Sequence, residues 1–184
     1  MRAGARTDAA AWRPESHPSP GTALPARDTA HPQADLRAVL AALAVGPRLA
    51  PAVHAEWRLP AHALWVAMAP DPLAQTLRRL LELAAELLTP IGGVVRIHAR
   101  AEGTTAAVSV VDEPAGAQPP ALARRVHGLS LAADPHQDAS LRALALCAQA
   151  IDGHHGRLYA APSTWGAMGA TMRLPLIRLA GGLA

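Results

Sequence analysis

The sequence contains no lysine, no phenylalanine, one cysteine and one tyrosine among its 184 residues. A single cysteine excludes an internal disulfide framework, and Cys147 lies in an apolar helical pattern that favours a buried thiol over a nucleophile. No stretch approaches the roughly 20 apolar residues of a membrane helix, and the N-terminus has no apolar run of signal-peptide length. We therefore expect a cytoplasmic chain that inserts no segment of its own into a membrane.

Basic charge is supplied by arginine alone, with 17 arginines against 14 acidic residues. Only Arg78-Arg79 and Arg124-Arg125 are adjacent, and no nucleic-acid recognition motif accompanies them. The arginines are otherwise scattered along the chain. The sequence therefore predicts no nucleic-acid partner.

Composition divides the chain into two parts. Residues 1–32 are rich in proline, alanine, serine and charge, follow no hydrophobic period, and predict a disordered tail. Residues 33–180 alternate between helical and strand-like periods and predict one domain. The expected order is helix, two strands, helix, two strands, helix, loop, helix and two strands. This order predicts an α/β fold, an α+β two-layer sandwich whose mixed sheet carries helices on one face.

Turn residues set the expected ends of these elements. Gly46-Pro47 ends the first helix, Pro60 connects two strands into a hairpin, and Gly153 ends the last helix. Ser140 is the expected cap at the start of that last helix. The predicted helices are 33–45, 71–88, 119–127 and 140–152, with a loop over 128–139, and the predicted strands are 53–60, 62–70, 94–101, 104–112, 156–162 and 170–179.

The helix predicted over 71–88 has the clearest pattern. Asp71 is its expected N-cap, followed by Pro72 at the first helical position. The spacing predicts an apolar inner face and a charged outer face. The inner face comprises Leu73, Leu77, Leu80, Ala84 and Leu88, and the outer face comprises Arg78, Glu82 and Glu86.

Three segments carry a family resemblance through their order and spacing. They are DPLAQTLRRLLELAAELLTP (71–90), VSVVDEPAG (108–116) and LALCAQAIDGHHGRLYAAPSTWGAMGATMRLPL (144–176). Together they resemble the ATP-binding catalytic domain of bacterial sensor histidine kinases, part of the Bergerat-fold ATPase family with gyrase and the Hsp90 chaperones. The resemblance covers about residues 35–178. It implies a nucleotide pocket, ATP and magnesium as cofactors, and a response regulator, kinase or other signalling protein as partner.

The family's N-box helix presents asparagines that hold magnesium and phosphate, in a pattern like NLLxNAxKYTP. Laid without gaps on LLELAAELLTP, this pattern puts Leu80 and Ala84 at the two asparagine positions. Neither side chain binds a cation. Glu82 and Glu86 are the alternative magnesium ligands, although a solvated strip shared with Arg78 fits their spacing better. We therefore assign no metal ligand.

The family's first glycine box reads DxGxG, and this chain has DEPAG at 112–116. In the family the aspartate accepts a hydrogen bond from the adenine amino group, so the resemblance assigns that role to Asp112. A carboxylate that caps a turn at the strand end is an equally good interpretation. Pro114 replaces the middle glycine and brings a fixed φ and no N–H group. Gly116 keeps the last glycine.

The family's remaining glycine boxes are altered or uncertain in register. The second, GxGLGL, falls on residues 139–144, where no glycine remains to bring backbone N–H groups close to a phosphate. The last resembles WGAMGATMRLPL, whose glycines a tight hairpin turn also explains. The nucleotide pocket implied by the resemblance comprises Asp112, Gly116, Gly166, Gly169 and Thr171, and it includes no assigned catalytic residue.

Other chemistry has little support in the sequence. His154 and His155 have no cysteine or carboxylate set beside them, and the family has an HGG turn at this position. No phosphate-binding loop and no Ser-His-Asp spacing occurs. His17, in SHPSP, has no helical context for a phosphoacceptor.

Three functions stay open at the level of the sequence. The first, which we favour, is a degenerate histidine-kinase-like domain that binds a signalling protein with little or no ATP turnover. The second is an active ATP-dependent protein histidine kinase, as a kinase fragment or a stand-alone anti-sigma type. The third is a histidine phosphotransferase-like adaptor. The altered boxes argue against ATP and magnesium as cofactors. The sequence does not identify the partner, the signal or the oligomeric state, or whether the chain is a fragment of a larger receptor.

Overall fold

The computed structural model describes residues 32–46, 49–129 and 138–177. The predicted tail, apart from residue 32, lies outside the described residues. Residues 130–137 of the predicted loop and 178–180 at the end of the predicted domain also lie outside them. The domain boundaries at 32 and 180 therefore stay predictions.

The described residues form seven strands in two sheets. The strands are β1 (Ala34–Asp35), β2 (Val53–Arg58), β3 (Trp65–Val66), β4 (Gly93–Glu102), β5 (Thr105–Pro114), β6 (Arg157–Pro162) and β7 (Met168–Pro175). The main sheet has the order β2-β4-β5-β7-β6, and β1 pairs with β3 in a second, two-stranded sheet. In the main sheet β2 runs parallel to β4, and the other neighbours are antiparallel. The sheet is mixed, as predicted.

The described helices are α1 (Leu36–Val45), α2 (Pro70–Leu88), α3 (Leu122–Leu129) and α4 (Ala139–Asp152). α2, α3 and α4 pack on one face of the main sheet, and α1 packs against α2. Leucine, valine and alanine side chains from helices and strands form one shared core. Each fully buried leucine or valine contributes about 1.5–3 kcal/mol. The predicted two-layer sandwich is confirmed.

Side chains of the main sheet alternate between two faces. The core face lies against the helices and includes Val108, Val110 and Asp112 of β5. The open face is the opposite one and includes Ser109 and Val111. No described helix packs on the open face.

The hairpin predicted over 53–60 and 62–70 is wrong. β2 pairs in parallel with β4, with Val53 opposite Gly93 and Arg58 opposite His98, and β3 pairs with β1. Gly93 lies at φ +146°, and a Cβ there would be 2.3 Å from the Glu113 carbonyl oxygen. The partner of β2 is distant along the chain, so the local turn signal at Pro60 did not reveal it.

The inner face predicted for α2 is confirmed, because all five of its residues are at most 1% exposed: Leu73, Leu77, Leu80, Ala84 and Leu88. The start of the helix differs from the prediction. The N-cap is Ala69, which makes no side-chain hydrogen bond, and Asp71 lies in the first turn. At this position its negative charge still interacts favourably with the positive, N-terminal end of the helix dipole.

Candidate functional site

Asp112 lies near the end of β5, on the core face, and is 0% exposed. Its carboxylate accepts hydrogen bonds from the backbone N–H of Ala121 at 2.6 Å and from that of Leu122 at 3.1 Å to each oxygen. α3 begins at Leu122, and the alanine before it has no side-chain acceptor. Asp112 therefore satisfies the first free N–H groups of α3 from a neighbouring strand.

Burial raises the pKa of the Asp112 carboxyl above its ordinary value. The hydrogen bonds from Ala121 and Leu122 and the charge of Arg124 oppose this rise. Because the folded pKa exceeds the unfolded one, the stability linked to this shift is present at low pH. It is lost as the pH rises through the folded pKa. At neutral pH the hydrogen bonds from the N–H groups of Ala121 and Leu122 stabilise this buried carboxylate.

Two of the predicted pocket glycines lie in turns. Gly116 follows β5 with φ +102°, and Gly166 lies between β6 and β7 with φ +80°. The N–H of Gly166 donates to the Ser163 carbonyl oxygen at 3.0 Å. A Cβ at either glycine would meet no atom within 4 Å. The left-handed backbone, rather than a crowded neighbour, therefore favours glycine at both positions.

The other two predicted pocket residues on β7, Gly169 and Thr171, lie on the open face. A Cβ at Gly169 would be 2.7 Å from Cγ2 of Val111, so glycine permits the close approach of β5 and β7. The Thr171 and Ser109 hydroxyls are 3.0 Å apart. Because Asp112 points to the core face, the structure does not bring it together with Thr171.

The two positions aligned with the family's asparagines lie inside the hydrophobic core. Leu80 is 1% exposed and Ala84 is 0% exposed. Glu82 and Glu86 point outwards and pair with Arg79 at 3.2 Å and 3.8 Å. The predicted charged strip is confirmed, with Arg79 rather than Arg78 as its cation. Exposed pairs of this kind contribute about 0–1 kcal/mol.

The segment aligned with the second glycine box forms the first turns of α4. Asp138 caps this helix, because its Oδ1 accepts hydrogen bonds from the N–H of Ser140 at 2.7 Å and of Leu141 at 3.3 Å. The prediction of Ser140 as the cap is therefore wrong. Arg125 pairs with the same carboxylate at 3.0 Å. The hydrogen bonds from Ser140 and Leu141, with the Arg125 contact, lower the pKa of Asp138.

A cluster on the open face, which the sequence analysis did not identify, surrounds Trp165. The turn between β6 and β7 places its ring 4.9 Å from the Arg58 guanidinium and 5.9 Å from that of Arg96. The His98 ring meets it edge-on at 5.6 Å, and His98 Nδ1 lies 3.1 Å from the Thr164 hydroxyl. Arg96 and His98 are two residues apart, so their side chains lie on the same face of β4. This spacing was the feature of the sequence that could have indicated the cluster.

We expect His98 to titrate below 6.5, its ordinary pKa. Burial disfavours its charged form most, the Arg100 and Arg58 charges add to this effect, and Glu102 opposes it. Because the folded pKa is lowered, the linked stability is present above pH 6.5 and is lost as the pH falls through the folded pKa. Trp165→Ala should uncover the imidazole and raise this pKa in an NMR titration. An unchanged pKa in that variant would show that Trp165 does not cover His98.

Metal-binding and membrane-spanning features are absent from the described part of the chain. Within 32–46, 49–129 and 138–177, no three His, Cys, Asp or Glu side chains are grouped to hold a metal ion. None of the helices in these ranges is long and apolar enough to cross a membrane. His154 and His155 lie in the turn after α4, as the sequence predicts, and His155 has φ 58°.

This fold is similar to solved domains of sensor histidine kinases. The mycobacterial sensor histidine kinase MprB matches with a TM-score of 0.56 at 20% identity, over 81% of this chain and 99% of that one. The ATP-binding domain of PrrB from Mycobacterium tuberculosis matches with a TM-score of 0.55 at 17% identity, over 80% of this chain and 98% of that one. The catalytic domain of the histidine kinase ThkA matches with a TM-score of 0.53 at 13% identity, over 78% and 94%.

At the level of sequence, no protein-family model matches the chain, and no curated protein matches it significantly. Identities of 20% and below establish the fold and not the activity. The strand order, the helices on one face and these superpositions agree. The chain has the fold of the catalytic, ATP-binding domains of sensor histidine kinases.

Proposed function

We propose that this chain is a histidine-kinase-like domain of two-component signalling that acts by binding another protein, with little or no ATP turnover. The observation that carries the proposal is the engagement of Asp112 by α3. Its buried carboxylate accepts the N–H groups of Ala121 and Leu122. Because the carboxylate is 0% exposed beside the start of α3, an adenine amino group could reach it only if α3 moved away. That movement would leave buried N–H donors unpaired, at a cost of about 1–3 kcal/mol each.

The positions that correspond to the magnesium and phosphate ligands do not fit those groups. Leu80 and Ala84 offer only hydrocarbon, whereas magnesium needs oxygen ligands in near-octahedral geometry. Residues 139–144 form helix where the family has a glycine-rich loop. Phosphoryl transfer depends on positioning and charge neutralisation. Because these positions provide neither, we assign no catalytic step to this chain.

The proposed pathway and location rest on the fold. MprB and ThkA are histidine kinases, and a chain with their fold fits a role beside a response regulator or another kinase in the cytoplasm. A domain that has lost nucleotide chemistry still presents the surfaces of that fold. Protein binding is therefore the activity that the described residues support best.

A phosphotransfer assay tests the proposal. The purified chain is incubated with γ-labelled ATP and magnesium, beside an active histidine kinase as positive control. We expect no protein labelling and no magnesium-dependent phosphate release above the buffer blank. Protein labelling would identify the chain as an active kinase, and phosphate release that saturates with ATP and is lost in Asp112→Asn would show ATP turnover; either result would overturn the proposal.

A further inference from the structure

The open face of the main sheet carries an excess of arginine. Five of the eleven described arginines lie on it, against three of the ten described acidic residues. The arginines come from β2, β4, β6 and β7, so the charge crosses the sheet. They are Arg58, Arg96, Arg100, Arg157 and Arg173, and the acidic residues are Glu56, Glu102 and Glu113.

Like charges face each other at one edge of this surface. Arg157 of β6 lies directly opposite Arg173 of β7 in an antiparallel pair. Like charges directly opposite destabilise a sheet. Arg173 bonds to Glu102, whereas Arg157 is exposed and has no charged partner among the described residues. An anion bound between the two arginines would relieve this repulsion.

Three of the five arginines of this face, Arg58, Arg96 and Arg173, lie over aromatic rings. The Arg173 guanidinium lies 5.5 Å from the Tyr159 ring centroid, and Arg58 lies 4.9 Å from that of Trp165. A guanidinium stacked on a ring keeps its planar set of donors in a defined orientation. Binding to such a group loses less side-chain entropy than binding to a free arginine. The face is therefore organised to receive carboxylates or phosphates.

A cleft of about 610 Å³ lies at the same edge, between β6, β7 and the start of β5. It is lined by Arg157, Arg173, Tyr159, His155 and Thr105, among others. The Tyr159 hydroxyl is shielded from solvent and has no hydrogen-bond partner in the described part of the chain. A buried donor without an acceptor costs stability. A shift of the Tyr159 side chain towards the cleft, which it lines, would bring this hydroxyl to an incoming carboxylate oxygen.

We propose that this cleft and the arginines beside it bind an acidic segment of a partner protein, with carboxylates on Arg157, Arg173 and Tyr159. This inference rests on the proposed function, because it names the surface and the chemistry of that protein binding. Nucleic acid is the poorer fit, because Glu56, Glu102 and Glu113 already pair with Arg96, Arg100 and Arg173. Among the described residues, Arg58 and Arg157 are the arginines of this face without a salt bridge, which is too few for a continuous phosphate backbone.

The chain's own ends lack the charge for this surface. Residues 1–31 contain four arginines and three acidic residues, and residues 178–184 contain one arginine and no acidic residue. Neither segment is acidic. These two segments therefore do not supply the complementary charge, and we take an acidic partner as its source.

Fluorescence anisotropy with a labelled peptide of alternating glutamate and serine tests this surface. The full chain, Arg157→Gln, Tyr159→Phe and Arg78→Gln are compared at low and physiological salt. Arg78 is the matched control, because it is an exposed arginine on the helical side and its substitution changes the charge equally. We expect Arg157→Gln to weaken binding about tenfold and Arg78→Gln to change it less than about twofold. Tyr159→Phe should weaken binding about threefold to tenfold, and a glutamine-serine peptide should not bind.

Three results would overturn the proposal: no binding of the acidic peptide at low salt, equal losses in Arg157→Gln and Arg78→Gln, or tighter binding of a DNA duplex through Arg157. Nucleotide binding is measured separately on the same preparation. Saturable ATP binding beside peptide binding would refute the proposed function and leave the docking surface standing. If neither ATP nor the acidic peptide bound, the docking surface would be refuted and the proposed function would stand.

Discussion

Replacing Ala84 by asparagine, the residue of the family's N box, is expected to destabilise the fold by about 2–6 kcal/mol and to restore no nucleotide binding. Ala84 is 0% exposed and lies on the inner face of α2, between Leu80 and Leu88. The larger side chain over-packs this core, which costs about 1–3 kcal/mol. Its amide has no described polar partner there, which adds about 1–3 kcal/mol.

Urea unfolding followed by circular dichroism measures this loss. Glu82→Asn is the matched control, because it introduces the same residue on the outer face of the same helix. That variant loses an exposed ion pair and some helix propensity, about 1 kcal/mol or less. If Ala84→Asn were as stable as Glu82→Asn and bound ATP with magnesium, Ala84 would face a nucleotide cavity and our account of α2 would be wrong.

Replacing Asp112 by alanine is expected to destabilise the fold by about 2–4 kcal/mol. The substitution removes the acceptor for the N–H groups of Ala121 and Leu122, and Leu122 is itself 0% exposed. Both donors are then left without a partner at the buried start of α3. Asp112→Asn should cost less, about 1–2 kcal/mol, because one amide oxygen still accepts a hydrogen bond.

Thermal and urea unfolding of the two variants measure these losses. Asp138→Ala is the control, because Asp138 caps α4 through the same kind of contact but at the surface. We expect it to lose less stability than Asp112→Ala. If Asp112→Ala were as stable as the unsubstituted chain and bound ATP with a different affinity, Asp112 would have the nucleotide-binding role implied by the family resemblance, and our interpretation would be wrong.

Local periodicity predicted the parts of the fold whose partners are near in sequence. The inner face of α2 follows from the spacing of Leu73 through Leu88, since one helix determines which residues share a face. The strand pair β4–β5 follows from alternation and the turn at Gly103. The pairing of β2 with β4 was missed, because a parallel partner is reached only through an intervening helix and leaves no turn signal.

The candidate site was less predictable than the fold. The role of Asp112 depends on two N–H groups nine and ten residues further along the chain, whose positions are set by the packing of α3. The sequence identifies the residue and is compatible with both interpretations. Trp165 reaches Arg58 and His98 across the sheet, which no short-range pattern encodes. Contacts between distant segments therefore account for what the sequence did not predict.

Calorimetric titration of the full chain with ATP and a non-hydrolysable analogue, with and without magnesium, tests the central claim most directly. We expect no saturable heat at millimolar nucleotide, because the Asp112 carboxylate accepts hydrogen bonds from α3 and because Leu80 and Ala84 lie in the core. Saturable binding that requires magnesium and weakens in Asp112→Asn would contradict it.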